Sequence, residues 1–499
     1  MLKAASLFTN GAVLCRRKEI RVFGEADSGS AVTVTLTDRR GNLLAENECI
    51  AADRRFTALL KPQEAMTGCT LNISRGDECF TASDIAIGDV YLAGGQSNME
   101  LELQNAEGGV EVIREHDDPM LRYYYVNKYA FVSDEQRAAA DNVRWEAATP
   151  GNCKNLSAVA YFFAAKLRRL HPDVPVGIIN CNWGGTSVTC WMPEETLRQT
   201  AEGARYLDEY ARNGGNKPIE QFLAEEKAWQ DEIRVWTERT ETYRAAHPDA
   251  KTEEVDEACG LYPWHPPVGP GSPFRPAGLH ETMTATVVPA TLTGLLFYQG
   301  EQDAGCTEHY DLLLEQLAAF WRAQFMDDRL PFLFVQLPMW IEFKPLWPTH
   351  WQEIRLAQAK ARDFIRNSGM ICMLDCGERG NIHPVDKKTP GERLAELALD
   401  VVYGEKAELC PRAKGKYTDG NRLTVILNAP VRAEREELLL EIAGEDGAFV
   451  KADAEINGNL LSLHADGVEY PVHARYAWVE YAAAPLFGLN GQPLEPFLL

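Results

Sequence analysis

The sequence predicts an α/β protein whose core is a parallel sheet with helices on both faces, carrying a small β unit at each end and a helical insertion. Three observations point there. Up to about residue 84 short segments alternate apolar and polar side chains; from Ile85 apolar runs alternate with helical stretches; after about Ala413 the two-residue alternation returns. A half-exposed antiparallel strand needs the first pattern, and parallel strands covered on both faces need the second. At 499 residues the chain exceeds the size at which single cores stop growing. The expected division is 1–84, 85–412 and 413–499, with the insertion at about 194–276.

Ala31-Val32-Thr33-Val34-Thr35-Leu36-Thr37 alternates most strictly, and Ile20 to Phe23, Phe56 to Leu60 and Leu71 to Ser74 complete the first β unit. Core strands are predicted over Val90 to Ala93, Val176 to Asn180, Leu292 to Tyr298, Phe332 to Gln336 and Met370 to Leu374. Amphipathic helices are predicted between them, over Ser157 to Leu170, Tyr310 to Phe325, Trp351 to Arg366 and Gly391 to Val402. Glu194 to His247 is charged and helical with few strong apolar faces, and a Pro/Gly-rich connection follows, Tyr262 to Pro276. The last unit shows alternation in Leu423 to Leu427, Leu438 to Ile442 and Leu460 to Leu463.

The charge balance narrows the partners. Fifty Lys plus Arg stand against 73 Asp plus Glu, a formal charge of -23, which argues against nucleic-acid or anionic-membrane binding. No apolar run is long enough to span a bilayer. At the N-terminus Ala12-Val13-Leu14-Cys15 precedes Arg16-Arg17-Lys18, the reverse of a secretory signal. The 12 cysteines are scattered without repeated short spacings, so reduced thiols are expected. Together these features favour the cytoplasm, a processed form of an exported protein having the same features. Cys372 and Cys376 lie near His383, but one Cys-x3-Cys pair without a second is not a zinc framework, and no metal is predicted.

Reactive groups in an α/β sheet belong in loops at the carboxyl ends of strands. Gly94-Gly95-Gln96-Ser97 follows the first core strand; its glycines permit a tight strand-to-helix turn, where Ser97 is either a helix cap or an exposed nucleophile. Asn182-Trp183-Gly184-Gly185-Thr186-Ser187, Gln299-Gly300-Glu301-Gln302-Asp303, Pro338-Met339-Trp340 and Asp375 through His383-Pro384 follow the others. A serine hydroxyl needs a base, and histidine titrates closest to neutrality, so Ser97 pairs with His383. Oxyanion donors are then available from the Ser97 N–H, from Gly184 or Gly185, and from the Gln299 amide. Each of these loops alone could be a turn; their occurrence at successive strand ends favours chemistry. Tryptophans such as Trp183, Trp191, Trp264 and Trp340 could stack on sugar faces or simply pack, and Trp183 adjoins the oxyanion turn.

Gly95-Gln96-Ser97-Asn98-Met99, Trp183-Gly184-Gly185-Thr186, Tyr298-Gln299-Gly300-Glu301 and Ile382-His383-Pro384 resemble the blocks of SGNH-type carbohydrate esterases, specifically sialate O-acetylesterases and their relatives. Arg275-Pro276 with Leu279, His280 and Met283, Trp321-Arg322, and Val335-Gln336-Leu337-Pro338 extend the resemblance over nearly the whole chain. It implies an SGNH-like core and a cofactor-free serine esterase that removes acetate from O-acetylated sugars. Ser97 would be nucleophile, His383 base, and Ser97, Gly184-Gly185 and Gln299 oxyanion donors. It also implies substrate contacts at Gln96, Trp183, Glu301 and Arg275.

Two departures stand out. Many relatives have Trp, Ser and Asn where this chain has Phe297, Gln302 and Asp303. SGNH enzymes often carry Asp three residues before the histidine, where this chain has Gly380. Orientation of His383 then falls to Asp375, Glu301, Asp386 or a backbone carbonyl. Asp375 is ranked first because it ends a predicted strand eight residues upstream. Another acyl hydrolase, acting on acetylated xylan or other short-chain esters, and a non-catalytic carbohydrate-binding protein are the competing readings; the retained Ser97, His383 and Gln299 argue against the last.

Overall fold

The computed structural model describes residues 1–131, 143–264, 266–341 and 350–499. It is a mixed α/β structure built on a large mixed sheet. Seven strands form its main path: β1 (Glu78–Gly95), β2 (Asp118–Tyr125), β3 (Trp145–Ala148), β4 (Val176–Asn182), β5 (Gly294–Tyr298), β6 (Phe332–Val335) and β7 (Ser368–Ile371). Their order is β3-β2-β4-β1-β5-β6-β7. Every neighbouring pair is parallel except β3 with β2. The helices that position the site are α1 (Ser97–Glu100), α2 (Ala158–Leu170), α3 (Tyr310–Gln324), α4 (Trp351–Phe364) and α5 (Lys388–Val401).

Side-chain alternation along β1 sorts the helices onto two faces. Tyr91 stacks edge-on against Phe163 of α2, with ring centroids 4.8 Å apart. Gly94, three residues on and therefore on the opposite face, backs onto Trp321 of α3. With both faces covered, every residue of β1 from Ile85 onward is buried. The helix α2 starts where Ser157 Oγ accepts from the Ala160 N–H at 3.1 Å. It packs against α5, where Gly391 lies against Val159, Phe162 and Phe163.

The expected boundary after residue 84 falls inside β1. Its first half pairs antiparallel with Met66–Arg75, its second half is the centre of the parallel sheet, and Val13–Cys15 runs beside it. The composition change at Ile85 therefore marks a change from one-faced to two-faced burial within one strand. Met66–Arg75 pairs in turn with Ala31–Thr37, where Val32, Val34 and Leu36 are buried and the threonines only partly so. Two strands of the main path were not legible. The start of β2 is polar and proline-bearing, Asp118-Pro119, and β3 is only four residues long.

Residues 194–276 contain the helices Ala201–Tyr210, Ile219–Ala246 and Thr252–Cys259. Trp229 and Trp236 of the long helix donate to the carbonyls of Pro263 and Gly260. The C-terminal strands form two four-stranded sheets and one two-stranded pair. Leu423, Val425, Ile442, Leu461 and Tyr476 share an apolar core with Met339, Cys372 and Leu374 of the α/β part. Among the described residues no helix is long and apolar enough to cross a membrane.

Candidate active site

Register brings the loops together. Gly95, at the end of β1, pairs with Asn182 of β4 on one side and Tyr298 of β5 on the other. The loops 96–98, 183–187 and 299–303 therefore leave the sheet side by side. Gly95 has φ 131°, and a Cβ there would overlap the Tyr298 carbonyl, which already accepts from the Gln96 N–H at 3.0 Å. No side chain fits this turn. It places Ser97 at the first position of α1, partly exposed.

His383 arrives from the loop joining β7 to α5, and its Nε2 lies 2.8 Å from Ser97 Oγ. The loop is fastened by its own polar groups. Asn381 Oδ1 accepts from the His383 N–H at 3.0 Å, and Glu378 accepts from Asn381 Nδ2 at 2.9 Å and from the Val385 N–H at 2.7 Å. The imidazole keeps an exposed edge, yet its charged form is disfavoured, first by desolvation and second by the nearby Lys387 ammonium. A neutral His383 can accept the Ser97 proton at Nε2.

Among the described residues no carboxylate hydrogen-bonds the His383 ring. Asp375, the expected orienting acid, is held elsewhere: Arg393 of α5 donates to both its oxygens at 2.7 Å. The other two carboxylates considered are also occupied by different partners. Asp386 accepts from the Thr389 N–H at 3.0 Å and the Thr389 hydroxyl at 2.6 Å at the start of α5. Glu301 accepts from Asn98 Nδ2 at 2.5 Å, and its Oε2 is buried without a hydrogen-bond partner.

The expected oxyanion donors divide. Gly184 packs directly on Ser97, but its N–H is donated to Glu100 Oε2, while Glu100 Oε1 pairs with Lys128. Gly185, at φ 72°, abuts Trp264 and Phe274. The N–H groups of Ser97 and Gly185 have no protein acceptor among the described residues. The Gln299 side chain is buried among protein partners. Its Nε2 reaches Gln96 Oε1 at 3.1 Å, the Thr186 carbonyl at 3.1 Å and Asp303 Oδ2 at 2.6 Å, and its Oε1 accepts from Tyr310 at 2.7 Å. Buried and fully engaged, it ties three strand-end loops together.

The expected substrate contacts shift likewise. Gln96 is buried, its Oε1 accepting from Gln299 Nε2 and, at 3.4 and 3.2 Å, from the N–H groups of Gly300 and Gln302. Glu301 lies in the interior, and Arg275 pairs with Glu281 at 2.7 Å with its Nε buried and unpartnered. Trp183 is partly buried, its N–H donating to the Gly95 carbonyl at 3.0 Å. Structure adds residues that sequence reasoning left without a role: Asp303, Asn98 and Lys387. Asp303 is wholly buried and receives Ser187 Oγ, Tyr206 OH, the Val188 N–H and Gln299 Nε2. For Asn98 the available signal was adjacency to Ser97, and for Lys387 its place one turn beyond His383.

A mixed α/β sheet whose parallel strand ends carry Ser97 in contact with His383 fits the class of carboxylic ester hydrolases, and the comparisons with known proteins place this chain in it. Residues 87–206 and 277–399 match the model of the family described as carbohydrate esterase, sialic acid-specific acetylesterase. The matched stretches contain Ser97, Gly184, Gln299 and His383; residues 207–276, between them, hold the long helix. The sialate O-acetylesterase of Rattus norvegicus is 25% identical over 421 residues, 77% of this chain and 70% of that one. The human enzyme is 23% identical over 440 residues, 81% of this chain and 71% of its own. A carbohydrate acetylesterase from Xanthomonas citri superposes with a TM-score of 0.76 at 26% identity, covering 100% of this chain and 99% of its own.

Proposed function

We propose that the protein is an SGNH-type serine esterase that removes O-acetyl groups from sugars, with O-acetylated sialic acids as the substrate class. The 2.8 Å contact between His383 Nε2 and Ser97 Oγ carries the reading. In the proposed reaction Ser97 Oγ bonds to the acetyl carbonyl carbon while its proton passes to His383 Nε2. The tetrahedral intermediate collapses, the C–O bond to the sugar breaks, and His383 returns the proton to the departing oxygen. Water, deprotonated by the same histidine, then attacks the carbonyl carbon of acetyl-Ser97, the C–Oγ bond breaks to release acetate, and His383 returns the proton to Ser97 Oγ. Stabilisation of both oxyanions falls to the backbone N–H groups of Ser97 and Gly185, since the Gly184 N–H and the Gln299 amide are engaged elsewhere.

The sialate choice rests on the named activity of the mammalian relatives. A second reading, a different acetylated sugar processed by the same groups, draws on the full-length likeness to the Xanthomonas citri enzyme, described only as acting on carbohydrate. Acetate release from O-acetylated sialic acids measured beside release from acetylated xylo-oligosaccharides separates them: equal or faster turnover of the xylan substrate overturns the sialate reading. Organophosphate labelling of the wild type, absent in Ser97→Ala, tests the serine mechanism, and failure of the wild type to label overturns it.

A further inference from the structure

We propose that Asn98, held in place by Lys387 and Glu301, is the positioning residue for the catalytic pair, doing through the backbone what an orienting carboxylate does in a triad. The inference rests on the serine–histidine reading above. Asn98 follows Ser97 in the chain, and Ile382 precedes His383; Asn98 Nδ2 donates to the Ile382 carbonyl at 2.9 Å. One side chain thus ties the neighbour of the nucleophile to the neighbour of the base, across 284 residues of sequence. The amide has a single workable orientation. Lys387 Nζ donates to Oδ1 at 2.5 Å, which leaves Nδ2 to face the Ile382 carbonyl and Glu301 Oε1, the latter also at 2.5 Å. Asn98 and Lys387 are 0% and 1% exposed, so water does not compete for these bonds.

Lys387 acts on His383 in a second way. Its ammonium, linked through Asn98 to the residue that precedes His383, disfavours a second positive charge on the imidazole. The other charged and titratable groups around Lys387 are Glu301 from the loop after β5, Glu378 and Asp386 from its own loop, and the Cys376 thiol. Glu378 and Asp386 are occupied by loop N–H groups, and the Asp375–Arg393 pair is closed on itself. Lys387 is the group whose charge His383 feels most after desolvation itself.

The test uses the full-length enzyme and p-nitrophenyl acetate as the probe, with thermal melts to follow folding. Asn98→Ala is expected to lower kcat about a hundredfold with KM changed less than about threefold, in the range expected when reacting groups lose alignment. Asn98→Asp fills the same volume and gains an ion pair with Lys387 but cannot donate to Ile382; it should show a similar drop, and it serves where the alanine variant fails to fold. Lys387→Met is expected to move the acid limb of the kcat/KM profile to higher pH, while Lys387→Arg, which keeps the charge, holds it low. Folded Asn98→Asp with kcat within about threefold of wild type, or a Lys387→Met acid limb that does not move, overturns the proposal. Ser97→Ala is the control: if it retains turnover, the serine reading falls and this inference with it. If Ser97→Ala is inactive while the Asn98 and Lys387 variants behave as wild type, only the positioning role falls.

Discussion

Arg393 grips Asp375 through two 2.7 Å hydrogen bonds, one to each carboxylate oxygen, and this pair joins the start of the His383 loop to helix α5. Both side chains are largely buried. Removing one partner of such a pair strands the other's charge and costs about 3 kcal/mol. Asp375→Ala is therefore expected to lower the unfolding free energy read from a urea titration by an amount of that order, with kcat of the folded fraction within about fivefold of wild type. A loss of a thousandfold or more in kcat at unchanged stability would restore Asp375 as the acid behind His383.

Gln299 leads to a parallel expectation. Its truncation leaves Asp303 Oδ2, Gln96 Oε1 and the Tyr310 hydroxyl each without one partner in a buried site. Unmet buried polar groups cost about 1–3 kcal/mol each. Gln299→Ala should be destabilised by at least that amount and lose activity in step with its folded fraction. A stable Gln299→Ala enzyme with kcat down about a hundredfold would instead make the amide a direct oxyanion donor.

These two residues mark where sequence reasoning reached and where it stopped. Ser97 and His383 were legible because each sits in a polar loop after a recognisable apolar strand, and the chemistry of a hydroxyl leaves few choices of base. The core strands at Val90, Val176, Leu292, Phe332 and Met370 were legible because two-faced burial demands continuous apolar runs. What the linear pattern does not carry is competition between partners. Asp375 lies eight residues from His383, but Arg393 reaches it from the second turn of α5; Gln299 lies at a strand end, but Gln96, Thr186 and Asp303 converge on it from three loops. Those pairings depend on three-dimensional approach, as does the contact of Asn98 with Ile382.

Gly95 offers a test of the turn itself. At φ 131° it has a backbone that other residues rarely adopt, and an added Cβ meets the Tyr298 carbonyl, which cannot rotate away. Because Tyr298 lies in the neighbouring strand β5, relief would require parting β1 from β5. Gly95→Ala is expected to lose more than about 3 kcal/mol of stability, beyond what an ordinary surface substitution costs. A melting temperature within a degree or two of wild type, with activity intact, would contradict the turn geometry.

The pH dependence follows from the environment of His383. Loss of water and the Lys387 charge hold its pKa below the ordinary histidine value of about 6.5. The base works only when neutral, so kcat/KM should stay on its plateau as pH falls through about 6.5 and decline only near the lowered folded-state pKa. The same shift fixes the sign for stability. Between the folded pKa and the unfolded value the unfolded chain binds more protons at this site, so its contribution is whole above about pH 6.5. It is lost progressively as pH falls through the folded value. A kcat/KM profile measured from pH 4 to pH 9 beside urea unfolding at matched pH checks both, and an acid limb at or above about 6.5 would show that His383 titrates as an ordinary solvated histidine.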